Sequence, residues 1–166
     1  MSEKLVVFFS RRGENYAVGN ISEGNAEHIA KVIKELTGAD IFEIRTIKEY
    51  SADYMTCVNE AKEELEKEAR PELSDLPKSI DGYSDIFLCF PNWWGTFPRA
   101  VASFLEKYDF SKKTIWPLCT HEGSGMGKSE AELRKIASGA NIKNGLAIKG
   151  TDARTSDDKI RKWLGL

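Results

Sequence analysis

Three stretches of this 166-residue chain carry residues suited to holding a ligand rather than filling a core. The run Phe90-Pro91-Asn92-Trp93-Trp94-Gly95-Thr96-Phe97-Pro98 places two adjacent tryptophans, a glycine and prolines directly after an apolar segment. Solvating two indoles gains nothing, so adjacent tryptophans in a loop point to something they cover. A rigid aromatic loop suits a flat, conjugated ligand, first of all a flavin. The run Thr120-His121-Glu122-Gly123-Ser124-Gly125-Met126-Gly127 has three glycines that let backbone N–H groups approach a ligand edge closely. A polar ring with carbonyl and N–H groups could be read by such a backbone. The third stretch runs from Ser10-Arg11-Arg12-Gly13-Glu14-Asn15-Tyr16 to Gly24-Asn25-Ala26 at a helix start. A helix N-terminus offers free N–H groups and partial positive charge to a phosphate. Ser10 can add a hydroxyl, Asn25 an amide, and Arg11 or Arg12 a charge.

Each stretch also has a plainer reading. The tryptophans could be core or a protein interface, the glycines a flexible connection, and the first loop a surface loop with capping residues. The first loop lacks the GK[ST] ending of a P-loop. It is not G-x-G-x-x-G either, which disfavours a nicotinamide dinucleotide held in the usual way. His121 is either a hydrogen-bonded loop residue or a donor to a ligand carbonyl. His28 is expected on the solvated face of the first helix.

The elements that must position these loops alternate in type. Leu5-Val6-Val7-Phe8-Phe9, residues 86–90 and residues 114–119 are short apolar runs that read as strands buried on both faces. Residues 41–44 and 142–148 read as the second and fifth strands. Between them, Ile29, Val32, Ile33 and Leu36 fall at helical spacing before Gly38, and Ala100, Val101, Phe104 and Leu105 follow Pro98. Residues 54–70 read as a mostly polar helix ended by Pro71, with an acidic face that is either solvated or a docking rim. Ser129-Glu130-Ala131-Glu132 has the spacing of a capping box, and residues 156–164 form a last short helix stopped by Gly165.

Alternation of strand and helix, with no internal repeat or linker, predicts an α/β fold over residues 1–166. The form is a doubly wound, five-stranded parallel sheet in three αβα layers, strand order 2-1-3-4-5. Ligands of such sheets bind beyond the carboxyl ends of the strands, where strand order reverses. Here that crevice lies between strands one and three. The loops after strands one, three and four are the three unusual stretches.

Composition narrows the classes. A net charge of −2 gives no bulk attraction to nucleic acid, and no basic stripe with interleaved aromatics occurs. No apolar run approaches the roughly 20 residues of a membrane helix, and the N-terminus lacks a signal-peptide layout, so a cytoplasmic protein is expected. Cys57, Cys89 and Cys119 fit no metal or redox spacing and read as buried thiols, with a Cys89–Cys119 pair the alternative.

The motifs together resemble those of the flavodoxins, closest to a variant group with a lengthened phosphate loop, and the resemblance covers nearly the whole chain. Phe9-Ser10-Arg11 and Gly24-Asn25-Ala26-Glu27 resemble the family's phosphate loop, split here by residues 12–23, with Ala26 where threonine is usual. Asn92-Trp93-Trp94-Gly95-Thr96 with Pro98 resembles the loop beside the isoalloxazine, and Cys119-Thr120-His121-Glu122-Gly123-Ser124-Gly125 the second flavin loop. The resemblance implies non-covalent FMN. Ser10, Arg12, Asn25 and Ala26 would hold its phosphate. Pro91, Asn92, Trp93, Trp94 and Gly95 would flank the ring, and Thr120, His121, Glu122, Gly123 and Gly125 its other edge. The backbone around Trp94-Gly95 would change its hydrogen bonding with redox state. The implied role is electron transfer through oxidised, semiquinone and hydroquinone flavin, with redox protein partners, as a monomer or weak dimer. The alternative is an FMN-dependent NAD(P)H:quinone-type oxidoreductase with a small-molecule acceptor. A third reading is a flavin-free interaction domain anchored by the tryptophans.

Overall fold

The structure is a computed structural model in which residues 3–166 are described. In chain order the strands begin with β1 (Lys4–Phe8), β2 (Gly13–Asn15) and β3 (Gly19–Ile21), followed by helix α1 (Asn25–Thr37) and strand β4 (Asp40–Glu43). Helix α2 (Tyr54–Glu66), strand β5 (Asp85–Pro91), helix α3 (Arg99–Leu105) and strand β6 (Thr114–His121) come next. The chain closes with helix α4 (Ser129–Ile136), strands β7 (Asn141–Ile142) and β8 (Leu146–Lys149), a 3-10 helix at Gly150–Thr155 and helix α5 (Asp157–Leu164).

The main sheet is parallel in the order β4-β1-β5-β6, with β7 and β8 both paired to the far side of β6. This is the expected order 2-1-3-4-5, with the fifth strand broken in two. Thr114 and Ile115 face Asn141 and Ile142, and four strand pairs resume at Leu118 and Leu146. Two residues of β6 therefore oppose three on the partner, which is a bulge. Pro117 has no N–H to offer there, and the Gly145 N–H turns instead to Glu130 Oε2 at 3.0 Å.

Alternate residues of β1 enter two cores. Val6 and Phe8 join Ile29, Ile33, Phe87, Cys89, Leu118, Ile148 and Ile160 beneath α1 and α5. Leu5, Val7 and Phe9 join Leu88, Phe90, Phe97, Val101, Phe104, Cys119 and Leu133 beneath α3 and α4. Burial on both faces accounts for the continuous apolar runs of the central strands. Among the described residues no helix is long and apolar enough to cross a membrane.

Several local expectations need correction. The stretch between residues 12 and 23 is a small antiparallel hairpin, β2 with β3, rather than an open loop. Helix α2 ends at Glu66, four residues before Arg70. The N–H groups of Glu68 and Ala69 return to the carbonyls of Leu65 and Glu64, with Glu68 at φ +49°. That is a Schellman termination built on a glutamate where glycine is usual, so nothing in composition marks it. The capping box does not form. Ser129 is already inside the helix and donates to the Met126 carbonyl, while Glu132 reaches Arg99 at 2.9 Å. His28 is not simply solvated, because its Nδ1 lies 2.9 Å from Glu23 Oε1. On α2, Glu60 accepts the Ser51 N–H and Glu64 the Tyr50 hydroxyl, so two acids of that face hold the preceding loop in place.

Cys89 and Cys119 lie on opposite faces of the sheet, which rules out the pairing considered from sequence. Burial pushes the thiol of Cys57 up to about 11, that of Cys119 up to about 12, and that of Cys89 further still. Since the thiolate is the reactive form, native protein at pH 8 should consume far fewer than three equivalents of an alkylating reagent. Urea should expose all three thiols. Formation of a Cys89–Cys119 disulfide in the folded protein would contradict the face assignment.

Candidate functional site

Strand order reverses between β1 and β5, and a cleft of about 420 Å³ opens there beyond the strand ends. Its floor is made by the ends of β5 and β6. Pro91 pairs with Thr120, and the Asn92 N–H extends the ladder to the Thr120 carbonyl at 2.7 Å. Asn92 then ties two loops together. Its Nδ2 donates to the Gly125 carbonyl at 2.9 Å, and its Oδ1 accepts the Gly95 N–H at 2.8 Å.

The tryptophan loop is a tight turn. The Trp93 N–H meets the Thr96 carbonyl at 2.8 Å, and the two central residues, Trp94 and Gly95, have φ of +59° and +87°. Positive φ at both positions is the type I′ pattern, natural for glycine and strained for tryptophan. Trp93 is wedged edge-on against Phe9 and Tyr50, with ring centroids 5.1 and 5.0 Å away. Trp94 is 49% exposed; its indole N–H donates to the Val58 carbonyl at 2.9 Å, and Lys62 Nζ lies 5.5 Å from its ring centre. Trp94 is thus a half-exposed indole on a strained backbone that lines the cleft.

The glycine loop is fixed against that turn. The Lys128 N–H donates to the Gly95 carbonyl at 2.6 Å. His121 Nδ1 accepts the Gly123 N–H at 2.8 Å, which places the proton of the neutral ring on Nε2. Burial first, then Lys149 and Lys159, hold His121 below its ordinary range and so favour the neutral ring. Burial raises Glu122, opposed by Lys149 and by the nearby N–H groups of Thr151 and Gly150.

Eight of the fourteen residues expected at the site line the cleft: Asn25, Pro91, Asn92, Trp93, Trp94, Thr120, His121 and Glu122. Gly95, Gly123 and Gly125 shape its loops through their backbone bonds. Ser10 accepts the Glu27 N–H at 3.1 Å, inside the first turn of α1. Ala26 is buried in the core and can offer a site only its N–H. Arg12 is placed differently from expectation. Its guanidinium grips Glu27 in two bonds of 2.9 and 2.8 Å, so its charge is cancelled beside the site.

The contribution of α2 was not foreseen. Tyr54, Cys57, Val58 and Ala61 of α2 line the cleft, together with Arg11, Asn15 and Tyr16 of the stretch after β1 that the sequence had marked for the site. Tyr16 stacks on Tyr54 at 6.3 Å and 24°, Glu14 accepts the Tyr54 N–H at 2.6 Å, and Arg11 holds the Ser51 and Ala52 carbonyls at 3.0 and 3.1 Å. The α2 signal was present: positions 54, 57, 58 and 61 form one helical stripe, hidden by the acids around it. The hairpin left no such trace.

The site therefore combines aromatic surface, backbone donors and acceptors on two adjacent loops, and the N-terminus of α1, a set that fits a flavin. The comparisons with known proteins agree. A family model described as Flavodoxin matches residues 4–165. The chain belongs to the flavodoxin family. No curated protein matches the sequence. Among solved structures, a protein from Bacteroides uniformis described as a candidate flavoprotein is 28% identical, with 95% of this chain and 97% of that one covered and a TM-score of 0.77. A similar one from Bacteroides eggerthii is 26% identical over 98% and 95% of the two chains, TM-score 0.79. A flavoprotein from Lactobacillus acidophilus, solved with FMN, shares the fold at 18% identity over 97% of each chain, TM-score 0.68.

Two outcomes follow from this flavodoxin's loops. A Cβ on Gly127, which has φ +56°, would lie 2.1 Å from the Gly95 carbonyl oxygen. Gly127→Ala should lower stability by more than about 1 kcal/mol in urea unfolding, and an unchanged midpoint would deny the contact between the loops. For His121 the sign is fixed by its depressed folded value. The unfolded ring takes up protons first, so its stabilising contribution is present above about pH 6.5 and lost as pH falls below it. The acid-side slope of thermal stability should flatten in His121→Asn; an unaltered slope would remove His121 from that role.

Proposed function

We propose that this flavodoxin binds FMN non-covalently and serves as an electron-transfer protein. The observation that carries this reading is the cleft at the β1–β5 reversal, where the Trp93-Trp94 turn and the glycine loop meet through Asn92. Bound FMN would supply one- and two-electron redox chemistry. The chain's residues would orient and tune it.

Trp94 offers a ring face, and Trp93 keeps that loop rigid from behind. The neutral His121 presents Nε2–H to a ring acceptor. Glu122 sets a carboxylate near the same edge, partly compensated by Lys149. An aromatic wall and a carboxylate both disfavour added negative charge in the cleft, which lowers the potential of a flavin held there. The N-terminus of α1 and the Asn25 amide would receive the phosphate. The wall of α2 and the hairpin restricts solvent on the remaining side. Redox proteins would be the partners, meeting the exposed edge of Trp94.

The second reading, an FMN-dependent NAD(P)H:quinone-type oxidoreductase, is favoured by the Tyr16–Tyr54 stack, which gives a flat acceptor an aromatic surface of its own. Stepwise anaerobic reduction of FMN-loaded protein separates the two. A one-electron-reduced spectrum that accumulates supports the carrier. Direct passage from oxidised to fully reduced flavin supports the oxidoreductase. Protein that retains no FMN refutes both. Trp94→Ala should weaken FMN binding about tenfold and raise the midpoint potential, whereas Trp94→Phe should retain most of the affinity. Equal affinity in all three proteins would remove Trp94 from the binding surface.

A further inference from the structure

Two arginines, Arg12 and Arg154, meet residues at the N-terminus of α1, and a third, Arg11, lies on the loop before it; they differ in their partners. Arg12 is bidentate on Glu27, with Glu43 at 3.7 Å. Arg11 donates to the carbonyl oxygens of Glu14, Ser51 and Ala52. Arg154 donates to Asn25 Oδ1 at 2.8 Å and to the Glu23 carbonyl at 2.5 Å. Among the described residues, neither Arg11 nor Arg154 has a carboxylate within 4.0 Å. Neutral oxygens orient a guanidinium without cancelling its charge.

Arg154 is delivered from the far side of the sheet by a chain of contacts. The 3-10 helix that carries it follows β8, and its first residue, Gly150, lies close against the Glu122 carboxylate. A Cβ on Gly150 would lie 2.4 Å from Glu122 Oε1 and 2.5 Å from Asn25 Nδ2, so a glycine is what lets these three residues meet. Beyond them Arg154 closes onto Asn25, 129 residues away in sequence.

Of the two arginines of the phosphate loop, Arg11 keeps its charge but is turned onto the Ser51 and Ala52 carbonyls at the start of α2. Arg12 is neutralised and Ala26 brings no hydroxyl, while the Ser10 oxygen accepts the Glu27 N–H and leaves its own O–H to donate, a neutral contact. We infer that Arg154, carried by the loop after the fifth strand, makes this site select a phosphorylated flavin over its unphosphorylated form. The inference rests on the flavin reading above. Arg154 uses two of its five donors on Asn25 and Glu23, and the remainder are free to meet a phosphate oxygen beside the Asn25 amide.

The test is the dissociation constants of FMN and riboflavin, by quenching of flavin fluorescence, for the wild type, Arg154→Gln and Arg154→Lys. Arg154→Gln should raise the FMN constant about 10- to 100-fold and leave that of riboflavin within about twofold, with Arg154→Lys recovering part of the loss. The salt dependence of FMN binding should also become shallower in Arg154→Gln. Equal losses for the two flavins would overturn the inference, showing Arg154 to be a brace for Asn25 and nothing more. An unchanged FMN constant would overturn it as well. A wild type that binds neither flavin would refute the flavin reading itself, and this inference with it.

Discussion

Asn92 is the constraint on which the site depends. At the end of β5 the chain must leave the sheet, and the polar groups of two long loops must find partners away from regular structure. One side chain satisfies both loops, accepting from Gly95 and donating to Gly125, while its own N–H extends the ladder to Thr120. A side-chain amide carries its donor and its acceptor on separate atoms, so one residue can serve both loops at once. The tryptophan turn and the glycine loop consequently act as one rigid body. That rigidity is what permits Trp94 to hold a backbone conformation that a bulky residue rarely adopts.

The sheet makes this arrangement possible. Its central strands are buried on both faces, so their register is set by packing rather than by the loops. Strand order then reverses between β1 and β5, and a gap between helices has to open at that point. The loops after β1, β5 and β6 converge there, with polar groups turned inward because the strand ends leave them no ladder partners.

Electrostatics around the gap is less simple than a count of arginines suggests. Arg12, the arginine expected at the phosphate, is absorbed by Glu27 and its hydrogen bonds lower the Glu27 carboxyl from its ordinary value. Arg11 ties the hairpin to the start of α2. Glu122, which sequence placed at a ring edge, also lies against the first residue of the 3-10 helix that brings Arg154 round. Each charged residue at the site thus has a structural partner, and the field a ligand meets is what those pairings leave over.

Much was legible in the sequence, because periodicity and spacing are local properties. The strand order, the crevice, the aromatic turn and the glycine loop could all be read from apolar runs and from residues that only special backbone positions accept. Tertiary structure decided what depends on partners far along the chain. Arg12 faces Glu27 across 15 residues, and Tyr16 meets Tyr54 only because the stretch after β1 folds as a hairpin onto α2. Helix α2 ends on a left-handed glutamate with no compositional mark, and the capping spacing at Ser129 is overruled by burial. Sequence fixes which groups a chain can offer. Which of them remain free for a ligand depends on the pairings that only the folded chain makes.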